Sequence, residues 1–301
     1  MPFDVIVVGG SFAGLAAATY IARGRRSVCV VDAGKPRNRF ATASHGFLGQ
    51  DGSDPQTMLS QARGQLAAYP QATIIEGEAV DVRAGRDFTV TLASGETLDA
   101  ARLILAYGIT DLLPEIPGLA ERWGKSVLHC PYCHGYEFAD GKLGVLAGSP
   151  LSAHQALLIA EWGPTTLYLN GGDMPDVGTC ARLAGRGIGI EPAPVAALVG
   201  EGDALSGLRL GDGRTSAVEA LYLAPHSRMN SPLAERLGCV LDEGPFGPVI
   251  RTDASKQTTV AGVYAAGDIA RAPHSVSWAV ADGVTAGVSV HQSLAFASLA
   301  A

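Results

Sequence analysis

The chain has 301 residues, enough for about two domains, and its 47% hydrophobic and 17% charged residues are typical of a globular protein with full cores. The net charge of −7 argues against nucleic acid as the main partner, and the sequence holds no basic cluster that would offset it. Because no run of about 18 apolar residues occurs, we expect no membrane span. The chain enters a strand at residue 4 without a basic segment, an apolar helix or a cleavage site, which predicts a cytoplasmic protein.

The first elements along the chain are a strand, a glycine turn, an Ala-rich helix and a second strand. Residues 5–8 form an apolar run, the turn covers 9–14, the helix reaches about Arg23, and the strand at 27–31 ends at Asp32. This order is typical of a βαβ unit. Further predicted elements are a loop at 35–54, a helix at 56–69, a β-rich region at 73–98 with turns at 84–87 and 94–95, and a buried strand at 103–106.

Two proline-containing segments, 113–118 and 244–248, are candidate hinges, because proline stiffens the backbone and interrupts helices. Two hinges imply a domain inserted into a discontinuous outer one. We predict an α/β fold with two Rossmann-like three-layer domains. The outer domain would comprise residues 1–113 and 245–301, and the inserted domain residues 118–243. The remaining predicted elements are a strand–turn–helix at 142–162, a strand at 262–268 and a final helix at 277–296.

The first glycine turn predicts a dinucleotide site. Gly9, Ser11 and Gly14 occupy the three glycine positions of the fingerprint, where backbone N–H groups approach a pyrophosphate at a helix N-terminus. Ser11 departs from glycine but is small and keeps its N–H. Asp32 ends the second strand, where a carboxylate can accept hydrogen bonds from a ribose. The alternative, a purely structural glycine turn, does not explain the acidic residue at this distance.

The end of the chain decides between FAD and NAD for this site. Gly267 and Asp268 follow a late strand and precede a helix. Two-domain flavoproteins hold the ribitol with such a carboxylate, so the pattern predicts FAD. An isolated Gly-Asp would more often be a simple turn, but here it is paired with the N-terminal fingerprint.

The chain has five cysteines, an odd number that does not fit a secreted disulfide framework. Cys29 lies in an apolar run and is expected to be a buried hydrophobe, and the isolated Cys180 and Cys239 are interpreted in the same way. Only Cys130 and Cys133 are close enough in sequence to act together.

The segment around that pair predicts thiol–disulfide exchange. One thiol of a C-x-x-C pair attacks a substrate sulfur and the other resolves the mixed disulfide. Cys130 precedes a predicted helix start, where a thiolate is favoured, and His134 can move the proton because histidine titrates near neutral pH. A zinc site would need two more ligands. His129 and His134 are too local to supply them, and no second C-x-x-C exists, so we predict no metal.

These motifs resemble the low-molecular-weight thioredoxin reductase family over essentially the whole chain. Residues 9–14, 32–38 and 130–137 resemble more narrowly the dithiol oxidases that close disulfides in gliotoxin, holomycin and romidepsin. The resemblance implies a homodimer with FAD beside the disulfide, Cys133 facing the flavin and Cys130 exchanging with substrate. Ordinary thioredoxin reductases carry Asp after the second cysteine, and here that position holds His134.

The resemblance also implies the cofactor contacts. Residues of the glycine turn, which includes Gly10, would contact the pyrophosphate, and the loop after the second strand would run along the adenosine, with Asn38 nearest the flavin ring. Ser275 and Val276 replace the family's Gln-Ala at the pyrimidine edge and leave that contact to backbone N–H groups. Tyr107 replaces a usual threonine without an evident reason. The implied contacts are Ser11, Phe12, Ala13, Asp32, Ala33, Asn38, Arg39, His45, Ala106, Gly267, Asp268, Ser275 and Val276.

The second strand–turn–helix does not look like an NADPH site. Gly148 and Ala153 fit the first and last fingerprint positions, but Pro150 occupies the second, and proline has no N–H to offer a phosphate. The next strand ends without the arginine cluster that grips a 2′-phosphate, and no arginine follows until Arg182.

The function predicted first is therefore a dithiol oxidase that forms a disulfide in a small molecule, with oxygen as the acceptor. The alternative is a disulfide reductase supplied by NAD(P)H or ferredoxin, and a third interpretation is a non-catalytic flavin redox sensor. The sequence does not name the substrate. Four aromatic residues, Trp123, Tyr132, Tyr136 and Trp278, could line a pocket beside the dithiol or belong to the core.

Overall fold

A computed structural model describes residues 2–297. Numbered along the chain, its strands are β1 (Phe3–Val8), β2 (Val28–Asp32), β3 (Ala72–Glu76), β4 (Ala79–Ala84), β5 (Phe88–Leu92), β6 (Thr97–Leu105), β7 (Ile109–Asp111), β8 (Val127–Leu128), β9 (Leu143–Leu146), β10 (Thr165–Tyr168), β11 (Gly189–Glu191), β12 (Val195–Val199), β13 (Gly207–Leu210), β14 (Thr215–Ser216), β15 (Ala220–Tyr222), β16 (Ser227–Met229), β17 (Leu241–Gly244), β18 (Gly247–Ile250) and β19 (Val263–Ala265). Its α-helices are α1 (Phe12–Arg23), α2 (Pro55–Ala67), α3 (Pro131–His134), α4 (Ser152–Ile159), α5 (Val177–Gly185), α6 (Leu233–Arg236) and α7 (Val276–Ala295).

The described chain divides into two compact units. The first contains the residues up to Arg39, Phe47–Thr110 and the residues from Ser227 onward, and the second contains Phe40–Gly46 and Asp111–His226. Both units are thus discontinuous in sequence, because the short segment Phe40–Gly46 belongs to the second unit.

The last boundary between the units lies between His226 and Ser227, whereas the sequence prediction placed it near residues 243–245. Residues 227–243 belong with the first unit because α6 packs into its core. Leu233 and Ala234 are fully buried there, and the Arg236 guanidinium donates to the Asp81 carboxylate over 2.7 Å. The segment 244–248 is the tight link between the paired strands β17 and β18, and its prolines mark a hairpin rather than a hinge.

The first unit is a three-layer structure around one sheet. Its strand order is β3-β2-β1-β6-β5-β4, with β19 also paired to β6. The pairs among β1, β2, β3, β6 and β19 are parallel, and β5 is antiparallel to both β4 and β6. Successive residues of a strand point to opposite faces. Val5 and Val7 therefore pack with α1, α2 and α7, whereas Ile6 and Val8 pack against β4, β5 and α6.

The second unit repeats this plan on a smaller scale. Its parallel sheet has the order β11-β10-β9-β15-β8, and β12-β13-β14 form a separate antiparallel sheet. Leu143 and Val145 pack with α4 and α5 on one face, while Leu146 and Tyr168 pack with the antiparallel strands on the other. Both units therefore have the predicted α/β fold with Rossmann-like sheets. Among residues 2–297, no helix combines the length and the apolar character needed to cross a bilayer.

Candidate cofactor and redox sites

The turn between β1 and α1 brings the backbone close enough for only glycine to fit. Gly9 has a φ of +114°, and a Cβ there would lie 2.2 Å from the carbonyl oxygen of Ala106. A Cβ on Gly14 would lie 1.8 Å from the oxygen of Gly9, so the helix starts directly on the turn. Ser11 precedes α1 without a side-chain capping bond, so its hydroxyl does not occupy the first N–H groups of the helix. Such a turn suits a pyrophosphate.

Asp32 ends β2 beside this turn and is only 8% exposed. One carboxylate oxygen accepts from the N–H of Gly10 over 3.2 Å and from the N–H of Gly34 over 3.1 Å, and the other is ion-paired to Arg63 of α2. The carboxylate borders a cavity of about 300 Å³. This cavity is lined by Asp32, Ala33, Gly34, Lys35, Arg63, Glu76, Gly77 and Glu78.

In the first unit, an ion pair joins two side chains that lie far apart in sequence. The Arg37 guanidinium donates to the Asp268 carboxylate over 3.0 Å, although the two residues are 231 positions apart. Asn38 follows in a short 3₁₀ turn, and its side-chain amide nitrogen is buried with no hydrogen-bond partner in the described protein. A buried donor of this kind needs an acceptor.

These residues fit FAD. The glycine turn and α1 suit the pyrophosphate, the cavity beside Asp32 suits the adenosine ribose, and the amide of Asn38 offers a donor where the resemblance puts the flavin ring. Gly267 has a φ of +79°, and a Cβ there would lie 3.0 Å from the Cβ of Ala13, so the residue before Asp268 lies against the start of α1. Ser275 caps α7 by accepting from the N–H of Trp278 over 3.1 Å, so its hydroxyl is occupied locally.

The second unit carries the redox pair. Cys130 and Cys133 form a disulfide with their Cα atoms 5.3 Å apart, and Cys130 is the residue that precedes α3. The motif is fixed at both ends. The Gln155 amide donates to the carbonyl of His129 over 3.1 Å, and Gly135 lies so close to Trp162 that a Cβ would be 2.9 Å from its indole nitrogen. Since α3 is a single turn, its dipole is small. The neighbouring side chains therefore influence the reactivity of the thiols more than the dipole does.

His134 follows the disulfide directly and lies among other titratable groups. Burial lowers the pKa of its imidazole, Glu137 opposes that shift, and His45 adds to it. The ring of His45 meets that of His134 edge-on with centroids 6.1 Å apart, and the His45 Nε2 lies 3.3 Å from the Glu137 carboxylate. His45 thus belongs to the second unit and lies beside the dithiol motif, whereas the sequence connected it only with FAD.

The turn after β9 is already occupied by a side chain. The buried hydroxyl of Ser152 accepts from the N–H of Gly148 over 3.1 Å and from the N–H of Ser149 over 3.2 Å. In a nucleotide-binding turn these N–H groups would face a phosphate. Ser152 thus takes up two N–H groups of this turn, and Pro150 has none to offer.

The aromatic residues divide by position. Trp123 is buried in the core of the second unit and is therefore a core residue, one of the two roles that the sequence left open. Tyr132 and Tyr136 are 72% and 84% exposed next to the disulfide motif, and Tyr132 packs edge-on against Trp162. In the first unit, Arg271 stacks over the Trp278 ring at 4.9 Å. The hydroxyl of Tyr107 contacts the Met229 sulfur at 3.7 Å, so this residue packs in the core.

Two of the three remaining cysteines are buried as the sequence suggested, whereas Cys180 is not. Cys29 and Cys239 are free and buried, and Cys180 is free and partly exposed. Burial raises the pKa of the Cys29 thiol to about 12 and also raises that of Cys239. Within residues 2–297 no group of three or more His, Cys, Asp or Glu side chains is arranged to hold a metal ion.

Several residues of these sites carry no motif. Arg63 and the acidic residues Glu76 and Glu78 lie far from Asp32 in sequence, and Arg37 was passed over in favour of its neighbours. Glu137 lies at the end of the dithiol segment, but no motif gives it a role. Only the three-residue spacing between His134 and Glu137 could have signalled that they lie together across one helical turn.

Comparison with known proteins gives concordant results. A family model described as pyridine nucleotide-disulphide oxidoreductase matches residues 3–283. The chain is 37% identical to thioredoxin reductase tcpT of Claviceps purpurea, over 94% of this chain and 92% of that protein. A crystal structure of an oxidoreductase from Agrobacterium tumefaciens is 47% identical with a TM-score of 0.94, covering 98% of this chain and 99% of that one. The crystal structure of HlmI is 37% identical with a TM-score of 0.94, covering 99% and 94%.

Proposed function

This chain belongs to the pyridine nucleotide-disulphide oxidoreductase family, and from that premise we propose that it is a dithiol oxidase that closes a disulfide in a small molecule and delivers the electrons to oxygen. It is an FAD-dependent enzyme of the thioredoxin reductase type that acts on thiols and disulfides. The proposal concerns the direction of electron flow and the identity of the acceptor.

One observation carries the proposal: in the turn after β9, the Ser152 hydroxyl takes up two N–H groups that would otherwise face a phosphate. Ser152 accepts from the two N–H groups of Gly148 and Ser149, and Pro150 supplies none. No arginine follows between β10 and Arg182 to grip a 2′-phosphate. Without NADPH as donor, a dithiol becomes the natural source of electrons. Oxygen is then the simplest acceptor.

The exchange steps follow from the chemistry of the disulfide. A substrate thiolate attacks the Sγ of Cys130, a mixed disulfide forms, and Cys133 leaves as a thiolate. The second substrate thiol loses its proton and attacks the substrate sulfur of the mixed disulfide, which closes the product and releases Cys130. Two electrons enter the cysteine pair and two protons leave the substrate. His134, kept neutral by burial, accepts one of them.

FAD, when bound, takes two electrons from a reduced dithiol and returns them to an acceptor. In this chain the turn at Gly9, the carboxylates of Asp32 and Asp268 and the Asn38 amide would hold it. We also propose, from the family resemblance, that the enzyme works as a homodimer in the cytoplasm. Free buried thiols at Cys29 and Cys239 are compatible with a reducing compartment.

An anaerobic titration of the oxidised holoenzyme tests the direction of flow. NADPH, NADH and dithiothreitol are added in separate experiments while the flavin absorbance is followed. We expect dithiothreitol to bleach the flavin, and we expect NADPH and NADH to leave it oxidised. Admission of oxygen should then restore the absorbance and produce one peroxide for each dithiothreitol oxidised.

Two other results of the titration would contradict the oxidase proposal in whole or in part. Stoichiometric bleaching by NADPH in the absence of oxygen would identify a reductase and overturn the oxidase proposal. Bleaching by dithiothreitol without reoxidation by oxygen would leave the dithiol chemistry in place but require another acceptor, such as a ferredoxin-like protein.

A further inference from the structure

The region around His134 contains more than one acid–base group. His134 follows Cys133, and the buried Tyr222 hydroxyl donates to the His134 carbonyl over 3.4 Å, which helps to fix this part of the motif. Burial lowers the pKa of the His134 imidazole, so the ring is neutral near pH 7 and able to accept a proton. The same burial makes the resulting imidazolium costly unless a negative charge lies nearby.

Glu137 supplies that charge. It lies three residues after His134, in the short 3₁₀ turn Tyr136–Phe138, and its effect on the pKa of His134 is the largest one that opposes burial. The carboxylate is itself held by His45, whose Nε2 lies 3.3 Å from it. The ring of His45 also packs edge-on against His134. His45 and Glu137 therefore act on His134 with opposite signs.

We propose that Glu137 and His45 are positioning residues that form, together with His134, a charge cluster controlling the proton exchanged with the dithiol. Glu137 stabilises the imidazolium that forms when His134 takes a proton from a thiol. His45 holds the Glu137 carboxylate in place and, when charged, favours release of the proton from His134. The inference rests on the acid–base role proposed for His134, and it holds for either direction of electron flow.

Two titratable side chains act on the pKa of the His134 ring, Glu137 and His45, and they act in opposite directions. Without the Glu137 charge the imidazolium is less stable, so the pKa of His134 falls further. Replacement of His45 removes an effect that lowers the pKa of His134, so that pKa rises. The Glu137 effect should be the larger, because the Glu137 carboxylate shifts the pKa of His134 more than His45 does.

The test is the pH profile of the anaerobic reduction of the flavin by dithiothreitol in the holoenzyme, measured by stopped flow between about pH 5 and 8. In Glu137→Gln the limb assigned to His134 should move to lower pH by about one unit, the scale of a neighbouring charge. In His45→Gln it should move to higher pH by a smaller amount. Glu121→Gln removes an exposed carboxylate of the same unit and should leave the limb unmoved.

Flavin content and thermal unfolding of each variant separate a shifted profile from a damaged protein. Shifts in opposite directions support the cluster, while an unmoved limb in Glu137→Gln overturns it. His134→Ala distinguishes this failure from that of the acid–base role, since it should slow flavin reduction about 10²-fold. A loss below threefold would remove His134 from the mechanism. A full loss in His134→Ala with no shift in Glu137→Gln would remove only the cluster.

Discussion

At the scale of single residues, the two cysteines are equivalent in chemistry but not in position. Cys130 precedes α3, whereas Cys133 lies within its single turn and next to His134. The sequence separation of three residues is enough to predict the disulfide, because such a pair closes a small ring locally. It does not distinguish the cysteine that meets the substrate from the one that passes electrons on, and only the family resemblance assigns those roles.

Serine substitutions separate the two roles. Cys133→Ser should abolish reduction of the flavin by dithiothreitol, because the thiol proposed to pass electrons to the flavin is gone. Cys130→Ser should also lose turnover but retain a thiolate at Cys133, which we expect to see as a long-wavelength absorption band in the flavin spectrum. Anaerobic spectra of both variants make the comparison. If the band occurs only in Cys133→Ser, the roles are reversed.

At the scale of secondary structure elements, α1 and α7 of the first unit pack through backbone contact. A Cβ on Gly283 would lie 2.1 Å from the carbonyl oxygen of Ala13, and one on Gly287 would lie 2.6 Å from that of Ala17. Both obstacles are backbone atoms, which cannot rotate away. The spacing of α7 from α1 therefore depends on these two glycines.

Gly283→Ala should push α7 away from α1. We expect destabilisation of about 1–3 kcal/mol and weaker FAD binding by about tenfold, because an added methyl group in a packed interface costs that much. Thermal unfolding and a fluorescence titration of the FAD-free protein measure the two effects. Gly64→Ala in α2 is the matched control. It is exposed with no atom within 4 Å of the new Cβ and should stabilise by about 0.5–1 kcal/mol. Unchanged FAD affinity in Gly283→Ala would contradict this account.

The sequence predicted those elements whose signals are local. The βαβ segment from β1 through α1 to β2 was predicted because its glycine turn and Asp32 have a fixed spacing. The start of α3 was predicted from its cysteines. Residues brought together by the fold escaped prediction. Arg63 reaches Asp32 from another helix, and Arg37 meets Asp268 from the other end of the chain. The proline segment 244–248 was misread as a hinge, since proline punctuates hairpins and linkers alike.

At the scale of the whole molecule, the two units have separate cores. The first is built from two hydrophobic clusters on the two faces of its sheet, and the second from two others. The residues assigned to the adenosine and pyrophosphate of FAD belong to the first unit. A ligand that binds only the folded form stabilises what it binds, by about 2.7 kcal/mol at a concentration of 100 times its dissociation constant.

Removal of FAD should therefore affect the units unequally. In calorimetry of the FAD-free protein we expect two transitions, and added FAD should raise mainly the one that belongs to the first unit, by roughly 5–10 °C. Leu143→Ala assigns the transitions. This buried side chain of β9 belongs to the second unit, so its loss should lower only the other transition, with a cost of about 2–5 kcal/mol. A single transition that FAD and Leu143→Ala both displace would mean that the two cores unfold as one cooperative structure.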